Sequence, residues 1–152
     1  MTLEKQTTCV DEAPAVVKRP SDGVTIMMID DEKLNSFVVA VYLKADGYRE
    51  LVHTTDPLNA MSLAMRVRPD MILLDIEMPR LNGIELLRLI RADEMLSETL
   101  VVVLSATDDE KIKTQAAELH VAGFLKKPIR KDELLGSLRT ILALANGQSS
   151  NG

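Results

Sequence analysis

The chain has no tryptophan, two tyrosines, two phenylalanines and a single cysteine. One thiol, Cys9, cannot form an intrachain disulfide or a zinc site of several thiolates, so nothing points to an oxidising compartment. So few aromatics leave no platform on which bases could stack. Lys and Arg number 18 against 23 Asp and Glu, a formal charge of −5, which lacks the positive footprint that a phosphate backbone needs. Direct nucleic-acid binding is therefore not expected. No window approaches the roughly 18 uninterrupted apolar residues of a membrane helix. The opening Met-Thr-Leu-Glu-Lys-Gln-Thr-Thr has an early acid and no run of about 7 to 15 apolar residues, so it does not read as a secretory signal. A cytoplasmic protein without a membrane partner is expected.

What is present suits one compact domain. The 152 residues are 46% hydrophobic and 27% charged, enough to bury a core. Residues 1–22 carry Pro14, Pro20 and scattered charge with no sustained period, and residues 147–152 are Gly, Gln, Ser and Asn. Both ends read as flexible arms around a folded unit at 23–146.

Within that unit, apolar runs alternate with segments of helical period. Val24 to Ile29, Met71 to Leu74 and Leu100 to Leu104 are the runs expected of strands covered on both faces, with Leu51 to His53 and Phe124 to Leu125 as weaker candidates. Leu34, Phe37, Val38, Val41, Tyr42 and Ala45 form one helical stripe, closed by Gly47. Asp56 and Pro57 read as cap and first residue of a second helix, with Leu58, Met61, Ala64 and Met65 inward. A third runs from about Gly83 to Arg91. Thr107 to Glu110 has the spacing of a capping box that opens a fourth. Leu134, Leu135, Leu138, Ile141, Leu142 and Ala145 form the buried stripe of a fifth. Five strand–helix pairs imply an α/β fold, a doubly wound parallel sheet with helices on both faces.

Such sheets carry their functional groups beyond the carboxyl ends of the strands. Here those ends hold Asp30 and Asp31, Asp75, Ser105, and Lys126-Lys127-Pro128. Ionised carboxylates directly after buried strands are costly to desolvate without a cation. In a strand order of 2-1-3-4-5 the three aspartates converge, and their repulsion raises at least one pKa unless a metal neutralises them. An all-oxygen cluster suits Mg²⁺ or Mn²⁺, leaving coordination positions for a phosphoryl group, and a lysine and a hydroxyl nearby supply positive charge and a donor for its oxygens.

The segments Met28-Ile29-Asp30-Asp31-Glu32, Arg68 to Gly83 around Leu73-Leu74-Asp75, Leu104-Ser105-Ala106 and Gly123-Phe124-Leu125-Lys126-Lys127-Pro128-Ile129 together resemble a two-component response-regulator receiver domain. The resemblance runs from about Val24 to Leu144 and implies a flavodoxin-like (βα)5 sandwich of the chemotaxis-regulator kind. By it, Asp75 is similar to the phosphoacceptor that attacks a phosphohistidine of a sensor histidine kinase or phosphotransfer protein. Asp31, Asp75 and the backbone carbonyl of Glu77 match Mg²⁺ ligands, and Asp30 the acid that holds a metal-bound water. Lys127, Ser105 and Ala106 match groups that bind phosphoryl oxygens. Ser105 and Phe124 match the switch pair, and Pro79, Gly83 and Pro128 structural turns. Lys126 is expected to point the other way. The resemblance further implies an output partner on the face of the fourth helix, fifth strand and fifth helix, and a phosphorylation-dependent homodimer.

Taken singly, each residue has a plainer reading. Asp30 and Asp31 could cap the first helix, Asp75 be a loop acid, Ser105 a strand-end hydroxyl, Lys126-Lys127 a solvated pair and Phe124 a core residue. Those readings do not explain why all lie at one end of the sheet. Arg130 stands where a helix cap is often Asp, Asn or Ser, so the last helix is expected to start nearer Asp132. Phe124 lacks a hydroxyl, so a switch built on it rests on packing. Glu77 and Thr107 sit two residues beyond Asp75 and Ser105, where family members border the path of a hydrolytic water. Two rival readings are a haloacid-dehalogenase-type phosphatase, which needs Asp-x-Asp where this chain has Asp75-Ile76-Glu77, and a phosphorylation-independent interaction module. The output stays open among a stand-alone regulator, a relay shuttle and part of a longer protein.

Overall fold

The computed structural model describes residues 23–79 and 81–151. The arm expected at 1–22, with Cys9, lies outside them. Among the described residues, strands β1 (Thr25–Ile29), β2 (Glu50–Thr54), β3 (Met71–Asp75), β4 (Leu100–Ser105) and β5 (Gly123–Lys126) alternate with helices α1 (Lys33–Ala45), α2 (Ala60–Val67), α3 (Gly83–Ala92), α4 (Glu110–Glu118) and α5 (Lys131–Asn151). The sheet has the order β2-β1-β3-β4-β5, and every neighbouring pair is parallel. This is the doubly wound α/β sandwich expected from the alternation of apolar runs and helical segments.

The pleat divides the apolar residues of the central strands between two cores. Met27, Ile29, Ile72, Leu74, Val101 and Val103 face α2, α3 and α4. Ile26, Met28, Met71, Leu73, Val102 and Leu104 face α1 and α5. Both faces are covered, which is why β1, β3 and β4 read as continuous apolar runs. The edge strands β2 and β5 are only partly buried, and their sequence signal is correspondingly weaker.

Several helices differ from the sequence reading. In α1 the buried residues are Ser36, Val39 and Leu43, while Leu34, Phe37 and Val41 are 72%, 66% and 49% exposed. The helix is apolar on two faces, and it seats the one with small side chains, Ser36 and Ala40, close against the sheet. The Asp56 carboxylate accepts the Leu58 N–H, but it caps a 3₁₀ turn, Pro57–Asn59, ahead of α2. Pro57, Ala60 and Ala64 are buried there, whereas Leu58 and Met65 are exposed. No Thr107 capping box forms, because Asp109 is the better cap and takes the Lys111 N–H at 2.9 Å, while Thr107 accepts from Asp109 N–H. The last helix is not shifted toward Asp132. It starts at Lys131, with the Leu134 N–H bonded to the Arg130 carbonyl, so Arg130 caps it through its backbone. That helix runs to Asn151. Among the described residues, no helix is long and apolar enough to cross a membrane.

Candidate functional site

Adjacent parallel strands bring their carboxyl ends to one edge. β1 delivers Asp30 and Asp31, β3 delivers Asp75, β4 leads to Ser105 and Ala106, and the turn after β5 presents Lys127. Asp30 and Asp75 are buried and Ser105 fully so, which leaves each dependent on protein partners.

Asp30 accepts the Glu32 N–H at 2.8 Å, the local turn that starts α1. Asp75 accepts the Glu77 N–H at 3.1 Å and the Lys127 ammonium at 2.9 Å on the same oxygen, Oδ1. Lys127 also stands 3.6 Å from Asp30. One carboxylate oxygen each of Asp30, Asp31 and Asp75 lies within 4.8 Å of the others. Burial, with the Asp30 charge adding to it, pushes the Asp75 carboxyl up to about 7 in spite of the opposing pull of Lys127. Burial pulls the Lys127 ammonium down, but the bond to Asp75 and the charges of Asp30, Asp75 and Glu77 outweigh it and the net shift is upward. The cluster therefore carries more negative charge than one lysine neutralises. Three hard oxygen donors at this spacing, held under electrostatic strain, fit a small divalent cation.

The helix after β3 must come very close to Asp75. A Cβ on Gly83 would lie 2.6 Å from the Ile76 Cα and 2.8 Å from the Asp75 carbonyl oxygen, so only glycine permits this approach. Asn82 caps α3 by accepting the Ile84 N–H at 2.8 Å. Pro79 is exposed in the same loop, and the Lys127–Pro128 peptide is cis. Lys126 points away from the cluster and pairs with Asp108. Phe124 packs at the margin of the α2–α3–α4 core, with the Lys113 ammonium 6.0 Å from its ring centre.

Sequence reasoning missed one arrangement. The Glu77 side chain accepts the Ser105 hydroxyl on one oxygen and the Ala106 N–H at 2.9 Å on the other. Strand pairing held the signal: Asp75 lies opposite Leu104, so a side chain two residues beyond Asp75 comes level with Ala106.

The chain matches the response regulator receiver domain over residues 26–139. It belongs to that family. The family is a signalling domain of two-component systems whose members bind Mg²⁺ at an acidic pocket and work with histidine kinases or phosphotransfer proteins and with output partners. The receiver domain is 31% identical over 123 residues to Protein PilG of Pseudomonas aeruginosa, covering 81% of this chain and 90% of that one. It is 32% identical over 120 residues to the phosphate regulon transcriptional regulatory protein PhoB of the same organism, covering 79% of this chain but 52% of that protein, so it spans about half of PhoB's length. The crystal structure of the Mn²⁺-bound form of response regulator Rcp1 superposes with a TM-score of 0.66 at 29% identity, covering 78% of this chain and 91% of that one.

Proposed function

We propose that Asp75 is the phosphoacceptor of this receiver and that its phosphorylation switches what the domain binds. The observation that carries the reading is the buried Asp75 carboxylate, held by Lys127 beside the Asp30–Asp31 pair at the carboxyl edge of the sheet. The donor is a phosphohistidine on a sensor kinase or phosphotransfer protein. A carboxylate oxygen of Asp75 attacks phosphorus, the N–P bond breaks, and the imidazole departs with the electron pair. Lys127 orients the nucleophile and offers its ammonium to the phosphoryl oxygens, while the Ser105 hydroxyl and the Ala106 N–H can receive the others. Asp30, Asp31, Asp75 and the Glu77 backbone carbonyl would hold a Mg²⁺ or Mn²⁺ ion, which supplies the charge that lets a phosphoryl dianion approach this acidic edge. That the similar response regulator Rcp1 has a Mn²⁺-bound form supports a divalent ion as the ligand.

A cleft of about 280 Å³ lined by Asp30, Lys127, Leu34, Val38, Tyr42 and Ile129 opens beside the nucleophile. With the exposed Leu34, Phe37 and Val41 it offers an apolar landing surface for the phosphodonor. Movement of Ser105 toward the phosphoryl group, with Phe124 following by packing alone, would carry the signal to an output partner or second copy on the α4–β5–α5 face, in the cytoplasm.

The test is intact mass after incubation with acetyl phosphate and Mg²⁺, with Asp75→Asn alongside. One phosphoryl adduct in the wild type, lost without Mg²⁺ and lost in the variant, is expected. An undiminished adduct in Asp75→Asn would overturn the assignment.

A further inference from the structure

The two donors that a phosphoryl group on Asp75 would need, at the end of β4 and just beyond it, already have an occupant. Ser105 Oγ–H and Ala106 N–H each own one hydrogen, and both point to the carboxylate of Glu77. The Ser105 oxygen in turn accepts the Thr107 N–H at 3.1 Å. Ser105 is fully buried, so both its bonds are to protein and it cannot reach elsewhere without giving one up. A phosphoryl group carries nearly two negative charges at neutral pH, so the Glu77 carboxylate is at once a rival acceptor and a like charge. Carboxylate and phosphoryl group cannot both hold the same pair of hydrogens.

We propose that Glu77 is a latch: its side chain stands in for the phosphoryl group in the resting domain, holds Ser105 in the unswitched position, and must let go before the switched state forms. This inference rests on Asp75 being the phosphoacceptor. It makes Glu77 a positioning residue that sets the threshold for switching, in addition to any part its backbone carbonyl has in holding a metal. The released side chain has room, because Glu77 is exposed and lines an open cleft of about 470 Å³ with Met78, Leu81, Asn82, Glu85 and Ile112.

The test is a titration of the full chain with beryllofluoride at saturating Mg²⁺, comparing wild type with Glu77→Ala and Glu77→Asp and following the Ala106 amide by NMR. Aspartate keeps the charge but is one methylene too short to span both donors. Both variants are expected to bind about tenfold more tightly than wild type, roughly the worth of one charge-assisted hydrogen bond. Before any addition, the Ala106 amide proton should already have moved upfield in both, having lost a carboxylate acceptor. Tighter binding in Glu77→Ala alone would mean simple charge repulsion and overturn the latch. Equal binding by all three would also overturn it while leaving Asp75 as acceptor. Binding by none would remove the phosphoacceptor reading and the latch with it.

Discussion

Lys127 follows the edge strand β5, yet its ammonium lies 2.9 Å from Asp75 at the end of the central strand β3. It bridges the end of β4, and its own N–H donates to the Ser105 carbonyl at 2.7 Å, which fixes the root of the side chain. Lys126, one residue earlier, faces the other way and pairs with Asp108, as the alternation of strand side chains requires. Two adjacent lysines thus have separate duties.

Lys127→Ala should keep Mg²⁺ binding and lower the rate of labelling by acetyl phosphate by about 100-fold, the usual cost of one preorganised donor at a developing anion. Lys126→Ala, which loses only an exposed ion pair, should label at the wild-type rate. Time courses of intact mass for the two variants separate these outcomes. An impaired Lys126→Ala beside a normal Lys127→Ala would exchange the two roles.

The Asp75 carboxyl, at an ordinary 3.8 in the unfolded chain, stands at about 7 in the folded one. Between those values the native state binds the extra proton, so in the metal-free protein this group's contribution to stability is greatest below about pH 4. It declines as pH rises through about 7. Asp75→Asn removes the titration. Measured in EDTA, the variant's melting temperature should match the wild type near pH 4 and exceed it by several degrees above pH 7. In the wild type, Mg²⁺ affinity should fall about tenfold per pH unit below 7, because the ion must displace that proton. Thermal melts at several pH values with and without Mg²⁺ check both, and parallel curves for the two proteins would contradict the raised carboxyl.

The acid clusters were legible because carboxylates directly after fully apolar strands have no packing role, and β1, β3 and β4 are apolar since both their faces are covered. The seating of α1 was not legible. Leu34, Phe37 and Val41 and Ser36, Val39 and Leu43 are each spaced as one stripe, and only contact with the sheet decides that the smaller set goes inside. At α4 the Thr107 spacing was right, but Asp109 lies closer to the helix and wins the cap. The side chain of Glu77 was hidden for another reason: its partners belong to the neighbouring strand, and they emerge only when strand register is laid beside sequence.

Gly83 is at a place where no side chain fits. An alanine methyl would press into the Ile76 backbone and the Asp75 carbonyl, neither of which is a flexible side-chain end. Gly83→Ala should therefore cost about 1 to 3 kcal/mol of stability by overpacking and, by pushing the end of β3 at Asp75 and the loop that carries Glu77, should slow labelling as well. Gly136, whose added Cβ would meet nothing within 4 Å in the exposed part of α5, is the control. Gly136→Ala should raise stability by about 0.5 to 1 kcal/mol through helix propensity alone. Denaturant titrations of the pair test this, and equal effects would mean that the α3 approach tolerates a methyl.

The outward seating of α1 has a functional consequence. Leu34 and Phe37 are largely exposed, so replacing them removes little buried area, and Leu34→Ser with Phe37→Ser should change stability by less than about 1 kcal/mol. If this stripe is where the phosphodonor lands, the double variant should accept phosphoryl groups from acetyl phosphate at the wild-type rate, since the small donor needs only Asp75 and its immediate partners. Transfer from a phosphorylated histidine-containing protein should slow at least tenfold, the loss falling on association and not on chemistry. Running both donors against the same variant separates docking from catalysis. Equal rates from the protein donor would place the landing surface elsewhere on the carboxyl edge.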